Sequence, residues 1–176
     1  MKELQKYVKK ALSSGATSAT IIDTNTVVTA NWVRLKCQFG CGGYNKRYTC
    51  PPFTPTPEFT QKMLSEYSKA LFFLIENIMP DQEHKVSLKL KKTVPVLERE
   101  IFLDGYYKAF GMVSGPCRFC RTCDTTKLCK FPEYARPAME ACGIDVYQTA
   151  HNNGFTLEVV RTEDSPCTYL SLILIY

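Results

Sequence analysis

Four cysteines in the segment 115–132 have a spacing that suits an inorganic cluster. Cys117, Cys120 and Cys123 follow a C-x2-C-x2-C pattern, and Cys129 comes after five further residues. Three thiolates on one tight loop can surround one compact core, and the iron–sulfur run C-x2-C-x2-C-x3-C-P begins with this spacing. Here the last gap is longer and Pro132 does not directly follow the fourth cysteine. The pattern favours an iron–sulfur cluster held by these four cysteines.

A second cysteine set comes earlier, in the segment 37–52. Cys37, Cys41 and Cys50 have the spacing C-x3-C-x8-C-P-P. Glycines at positions 40, 42 and 43 would let the backbone approach a cluster closely. Three cysteines within so short a stretch exceed what burial requires, although structural thiols are the alternative reading. We expect all seven cysteines of the two sets to be metal ligands.

Zinc and disulfides are the alternatives to iron–sulfur clusters. Structural zinc sites usually pair two separated C-x2-C units rather than three cysteines in a row. The chain has nine cysteines, so an all-disulfide scheme would leave one thiol unpaired. Residues 1–6 contain no apolar segment typical of a signal peptide, and no apolar run is long enough for a membrane span. We therefore expect a cytoplasmic protein with reduced thiols.

Seven cysteines cannot give two four-iron clusters four thiolates each. Cys142 and Cys167 stand alone, and each is either an eighth ligand or a buried thiol. In two-cluster ferredoxins the fourth cysteine of each run binds the other cluster. Cys50 could accordingly serve the central set while Cys129 serves the N-terminal one. In both arrangements one iron lacks a cysteine.

That iron would be open to water, to a small molecule or to another side chain. His84, His151 and nearby carboxylates are candidates for the position. We expect the open iron beside residues 40–44, where small residues leave room. Tyr44, Lys46 and Arg47 could orient a small anionic ligand there.

Composition describes an ordinary globular chain. The 176 residues are 45% hydrophobic and 22% charged, which fits a single domain, 1–176, with the loops 37–52 and 115–132 as a metal-binding subregion. The net charge of +5 counts cysteines as neutral, so it gives little support to nucleic-acid binding. No P-loop, G-x-G-x-x-G, G-x-S-x-G or H-E-x-x-H motif occurs, and the spacing after Cys41 does not fit a radical SAM motif.

Helices and strands must position these loops. The pattern predicts a helix over residues 4–12, buried strands over 69–75 and 168–175, and one long or two shorter helices after Pro80. Residues 26–34 and 155–160 read as extended. The expected fold is α/β or α+β, a small mixed sheet with flanking helices and the cysteine loops at one end.

Two further surfaces are predicted near these elements. Tyr106, Tyr107 and Phe110 precede the central loop and are expected to shield it from water. A lysine cluster in the long helix is either a solvated face or a docking site for an acidic redox partner. Its members are Lys85, Lys89, Lys91 and Lys92.

Four segments resemble an uncharacterised family of predicted metal-binding proteins, domain of unknown function 2284. They are residues 32–37, 48–52, 115–120 and 135–146. The resemblance covers nearly the whole chain and implies metal binding through the seven cysteines. It also implies structural or supporting roles for Arg136, Pro137, Glu140 and Asp145. It implies no particular reaction.

The sequence leaves three functions open. The first is an iron–sulfur protein with two [4Fe-4S] clusters in one-electron transfer. The second is an enzyme that uses an open iron as Lewis acid or for sulfur chemistry. The third is a zinc-stabilised binding module without a redox role.

Overall fold

The computed structural model describes residues 3–176 and is built on a four-stranded sheet of order β1-β2-β4-β3. The strands are β1 (Ser18–Asp23), β2 (Lys69–Ile78), β3 (Phe110–Met112) and β4 (Cys167–Leu174). All three pairings are antiparallel, whereas the sequence predicted a mixed sheet. The α+β class is confirmed. Residues 1 and 2, part of the stretch considered for a signal peptide, lie outside the described residues.

Five helices accompany the sheet. They are α1 (Gln5–Ser13), α2 (Asn31–Gly40), α3 (Pro57–Leu64), α4 (Glu83–Leu103) and α5 (Val146–Asn152). The predicted first helix is confirmed, and the long apolar pattern after Pro80 is one helix that continues through Pro95. None of the helices within residues 3–176 has the length and apolarity that a membrane crossing needs.

The sheet is buried on both faces, because successive side chains of β2 point in opposite directions. Leu71 and Phe73 belong to a cluster with residues of α1 and α4, such as Tyr7 and Val94. Phe72 and Leu74 belong to a second cluster with residues of α3, α5 and the segment 139–144. Burial on both faces explains why β2 and β4 are almost continuously apolar, as the sequence indicated.

The segment 26–34 is not the predicted strand. A 3-10 turn (Thr24–Thr26) is followed by a short extended stretch, and α2 begins at Asn31. The Ala30 N–H donates to the Gly143 carbonyl and the Asp145 N–H donates to the Val28 carbonyl, both at 2.8 Å. The β-branched residues of this segment therefore form only one short pairing, between Thr29 and the distant Ile144. The chain then enters α2, the helix that carries Cys37.

The segment 155–160 is also not a strand. Two of its apolar residues pack on the core without pairing, whereas Val159 and Val160 are exposed. The Phe155 ring lies 5.7 Å from that of Phe72 in an edge-on contact. Leu157 packs against the same cluster. The alternating pattern thus reflects side-chain packing of an irregular segment.

Candidate metal centre

The N-terminal cysteine set lines one cavity. Cys37, Cys41 and Cys50 face a space of about 200 Å³. The other lining residues are Gly43, Tyr44, Pro51, Gly115, Pro116, Ala138, Glu140 and Ala141. The three predicted ligands therefore face the same cavity, although one is in a helix, one follows that helix and one is in the next loop. The cavity also draws on chain segments about seventy and ninety residues downstream of the cysteines.

Arg34 fixes the helix that carries Cys37. Cys37 is in the last turns of α2, and Cys41 directly follows the helix with an extended backbone. The Arg34 Nη1 atom lies within hydrogen-bond distance of three oxygens, namely Thr54 Oγ1 (2.9 Å), the Pro55 carbonyl (3.3 Å) and the Ala141 carbonyl (2.5 Å). Hydrogen bonds from a charged donor are stronger than those between neutral groups. Arg34 therefore joins α2 firmly to the loop after Cys50 and to the segment after Glu140.

Gly43 lies against two of the sulfurs. A Cβ at this position would lie 3.5 Å from Cys41 Sγ and 3.6 Å from Cys50 Sγ. The Gly43 N–H donates to Cys41 Sγ at 3.4 Å. A backbone N–H directed at a sulfur is the kind of contact that stabilises a metal-bound thiolate. The cradle at Gly43 therefore fits a group bound between these cysteines.

The central cysteine set lines a second, narrower cavity. Cys117, Cys120, Cys123 and Cys129 face it together with Arg47, Tyr48, Thr49, Phe119, Phe131 and Ala135. Its volume of about 20 Å³ is close to the space of one water molecule. The four thiols match an iron–sulfur donor set, and the loop must widen to hold a four-iron core.

The central loop is anchored at its base and covered by its own aromatic residues. The Val113 N–H donates to the Pro137 carbonyl at 2.9 Å, and the Met139 N–H donates to the Val113 carbonyl at 2.8 Å. The Phe119 ring lies 5.8 Å from Phe131 and 5.7 Å from Tyr134. Phe119 and Phe131, rather than the predicted Tyr106, Tyr107 and Phe110, line the cavity of the central cysteines.

The predicted shielding residues lie elsewhere. Tyr106 stacks on Tyr176 at 5.5 Å and contacts Tyr7 edge-on at 6.3 Å. Tyr107 is 77% exposed, and Phe110 begins β3, where it pairs with Leu174. The prediction that they cover the central cysteines is wrong, because none of the three lines that cavity: Tyr106 and Tyr107 precede β3, and Phe110 is held in the sheet.

The two cavities are neighbours. Residues 47–49 line the central cavity, while Cys50 and Pro51 line the N-terminal one. Gly115 and Pro116 line the N-terminal cavity, whereas Cys117 lines the central one. The Cys117 N–H donates to Thr49 Oγ1 at 3.3 Å, which ties the two segments. The Tyr48 hydroxyl donates to the Thr125 carbonyl at 2.9 Å.

Each of the two cavities is lined by the cysteines of one set only. Cys50 shares a cavity with Cys37 and Cys41, and Cys129 shares one with the central three. This grouping favours the direct arrangement over the exchanged one. Among the described residues, neither lining set includes Cys142 or Cys167. Cys142 is buried in the apolar core, where burial raises its pKa to about 12.

The other candidate ligands are dispersed. Tyr44 lines the N-terminal cavity, but Arg47 lines the central one, and Lys46 is exposed. His84 is exposed in the first turn of α4. His151 lines a separate surface groove with Trp32. The structure therefore does not bring either histidine to the cysteines.

Burial keeps several of the thiols protonated. It raises the pKa of Cys50 to about 11, with the Cys41 charge adding to the effect. Burial likewise raises the pKa values of Cys37 and Cys117. Since metals bind thiolates, loading of either site must release protons.

Glu140 brings a carboxylate to the N-terminal cavity. Its Oε2 atom is buried and has no hydrogen-bond partner in the part of the chain that the structure describes. Burial raises the pKa of this carboxyl, whereas its own backbone N–H and the charge of Lys91 act in the opposite direction. Cysteine spacing gives no signal for this residue, and only the resemblance over 135–146 pointed to it.

Lys91 is a buried lysine rather than part of the predicted exposed cluster. Its Nζ atom donates to Ser87 Oγ at 2.6 Å and to the Ser114 carbonyl at 2.9 Å. Burial lowers its pKa to about 8, with the charge of Arg118 contributing, while nearby Cys117 and Glu140 oppose this shift. Lys85, Lys89 and Lys92 are exposed, as predicted.

Two residues implied by the resemblance have structural contacts. Arg136 forms a paired salt bridge with Glu98, at 2.6 Å and 2.7 Å, and Glu98 also accepts from the Gly111 N–H at 2.8 Å. Asp145 caps α5 by accepting from the Gln148 N–H at 3.0 Å. These contacts anchor the segment that carries Glu140, one before that residue and one after it.

No group of three or more His, Cys, Asp or Glu side chains within residues 3–176 has the geometry to hold a single metal ion. A tetrahedral zinc site with Zn–S bonds of about 2.3 Å places its sulfurs roughly 3.8 Å apart.

Comparison with known proteins places the chain in a family. Residues 20–175 match the family described as predicted metal-binding protein (DUF2284). No match was found among curated proteins or among solved structures. The match extends over both cysteine sets and over Glu140, so the chain belongs to the DUF2284 family of predicted metal-binding proteins.

Proposed function

We propose that this protein binds two [4Fe-4S] clusters and serves in one-electron transfer. The observation that carries the proposal is the pair of adjoining cavities, each lined by one cysteine set. Cys37, Cys41 and Cys50 would hold one cluster. The other would be held by Cys117, Cys120, Cys123 and Cys129. Bound clusters of this type accept and release single electrons.

The chain's own residues suit such a role. Segments 47–51 and 115–117 each contribute to both cavities, so the two centres would be separated by only a few residues. The Gly43 N–H and the charge of Lys91 lie where they would stabilise added negative charge. The rings of Phe119, Phe131 and Tyr134 would keep water from the central site.

The exposed lysines of α4 provide a surface for the predicted acidic redox partner. Lys85, Lys89 and Lys92 lie on the solvent side of the helix. A positive face increases the rate at which an acidic protein associates. A reducing, cytoplasmic setting would keep the seven thiols available for iron.

A second candidate function is an enzyme acting at the N-terminal site. A further cavity of about 260 Å³ shares Cys37, Cys41 and Glu140 with that site and continues to Trp32, Lys36 and Tyr147. A small anionic molecule could reach the cysteines through it, guided by Lys36. Cyanide added to the reduced protein should then perturb one cluster's paramagnetic resonance signal, and this response should be lost in Cys41→Ala.

Metal and sulfide analysis of protein purified without oxygen tests the proposal. We expect about eight iron and eight acid-labile sulfide per chain, with visible absorbance. About four iron would mean that only one site holds a cluster, and the two-cluster proposal would be wrong. Stoichiometric zinc without colour would instead support the zinc-stabilised binding module.

A further inference from the structure

The N-terminal site lacks one donor. Three cysteines line its cavity, and a four-iron cluster needs four ligands. The remaining cysteines of the described chain do not supply the fourth, because Cys142 is in the apolar core and Cys167 begins β4. Of the side chains that line this cavity, only Tyr44 and Glu140 add an oxygen.

One oxygen of the Glu140 carboxylate is buried and unpaired among the described residues. Its Oε2 atom has no hydrogen-bond partner within the described residues, although it is closed off from solvent. A buried polar atom without a partner destabilises the fold, and more so when it is charged. Lys91, the nearby buried cation, donates instead to Ser87 and to the Ser114 carbonyl. A cation in the cavity would remove this cost.

Hydrogen bonds fix the backbone around Glu140 relative to the helix that carries Cys37. The Ala141 carbonyl accepts from Arg34 of α2, the helix that carries Cys37, and from Thr54 Oγ1 at 2.6 Å. The Cys142 carbonyl accepts from Thr60 Oγ1 at 2.7 Å. Glu140 is therefore fixed relative to Cys37 by short polar contacts on its C-terminal side.

We propose that the Glu140 carboxylate is the fourth protein ligand of the N-terminal cluster and binds the iron that no cysteine reaches. This inference rests on the proposed function, since it requires a cluster at that site. It gives the unpaired Oε2 atom a partner and completes the ligand set from the chain itself. Carboxylate oxygen is an accepted iron ligand. The further cavity at Trp32 would then give small molecules access to the carboxylate-bound iron.

Labelled water distinguishes a carboxylate ligand from an open iron. The full chain is reconstituted anaerobically, reduced, and studied by electron–nuclear double resonance in oxygen-17 water. We expect no oxygen-17 coupling from the clusters of the wild-type protein. Coupling should appear for one cluster in Glu140→Ala, where solvent takes the vacant position. It should be absent in Glu140→Cys, which supplies a thiolate instead.

The controls separate this inference from the proposed function. Glu163→Gln changes an exposed carboxylate and should behave as wild type. Oxygen-17 coupling in the wild-type protein would overturn the assignment of Glu140, as would identical spectra for wild type and a folded, iron-loaded Glu140→Ala. If Glu140→Ala does not fold, an unchanged cluster spectrum in Glu140→Cys would overturn the assignment equally. Absence of iron and sulfide from the wild type would instead refute the proposed function itself.

Discussion

The two cysteine sets differ in what surrounds their sulfurs. The N-terminal set has three thiols, a carboxylate and a void of about 200 Å³. The central set has four thiols around a narrow space, covered by aromatic rings. Under the proposed function, this difference would give the two sites different tasks: the narrow central site would relay electrons, and the roomier N-terminal site could contact a small molecule.

Single cysteine variants should separate ligands from buried thiols. We expect Cys120→Ala and Cys123→Ala to lose about half of the iron and much stability, because binding of the cluster is coupled to folding of the loop. Cys142→Ala and Cys167→Ala should retain the full iron content, since neither residue lines a cavity. Iron per chain and the melting temperature measure both effects. Loss of iron in Cys142→Ala would identify it as a ligand.

Lys91 should make stability depend on pH. Its pKa falls from 10.5 to about 8 on folding, so at this residue the unfolded chain binds more protons between these values, and the contribution of Lys91 to stability rises with pH across this window. The shift corresponds to about 3 kcal/mol. Lys91→Met should flatten this rise in denaturant titrations from pH 7.5 to pH 10, whereas exposed Lys92→Met should not. Parallel curves for Lys91→Met and wild type would contradict the prediction.

Among the elements, α2 has the largest part in building the site. It carries Cys37, leads into Cys41, and is bound through Arg34 to the loop after Cys50 and to the segment of Glu140. One guanidinium therefore sets the relative positions of three chain segments that line the N-terminal cavity.

Replacing Arg34 should destabilise the N-terminal cavity and leave the central one intact. We expect Arg34→Met to lower the free energy of unfolding by about 1.5–3 kcal/mol, the usual range for a hydrogen bond to a charged group. Iron should be lost from the N-terminal site alone. Gln38→Ala, an exposed change on the same helix, is the control. Cluster-resolved paramagnetic resonance checks the result, and equal loss of both clusters would contradict it.

Sequence patterns predicted the elements whose burial is regular and local. The apolar runs of β2 and β4 are visible because residues 70–74 and 170–174 are continuously buried, and the helical spacing of α1 is visible because one side of the helix is buried, at Tyr7 and Ala11. The segment 26–34 was misread because its pairing partner lies more than a hundred residues away. Spacing brought the cysteines to notice but gave no sign of Glu140, whose position depends on tertiary contacts with Arg34 and Thr54.

At the scale of the whole molecule, the apolar core and the cysteine loops are supported differently. Both core clusters are built from the sheet and the helices, and one of them also includes the segment 139–146. Residues 41–56 and 115–136 contain no helix or strand. The core can therefore hold its packing by burial, while the loops depend on a few hydrogen bonds and on whatever the cysteines bind.

Metal removal should loosen the loops and spare the sheet. In hydrogen exchange after chelation under reducing conditions, we expect residues 41–56 and 115–136 to lose protection, while β2 and β4 remain protected. The matched comparison is the same protein kept loaded. Uniform loss of protection across the chain would show instead that the whole fold depends on the metal.

The place of β4 in the sheet bears on how the protein is made. This strand is translated after every other element described here, yet it lies between β2 and β3 and is the neighbour that both need. Until residue 174 has left the ribosome, β3 has no strand to pair with, and the loop that follows β3 has no fixed base. If the cysteines bind iron as proposed, its delivery would therefore follow the emergence of β4, when both cysteine sets first meet a finished sheet.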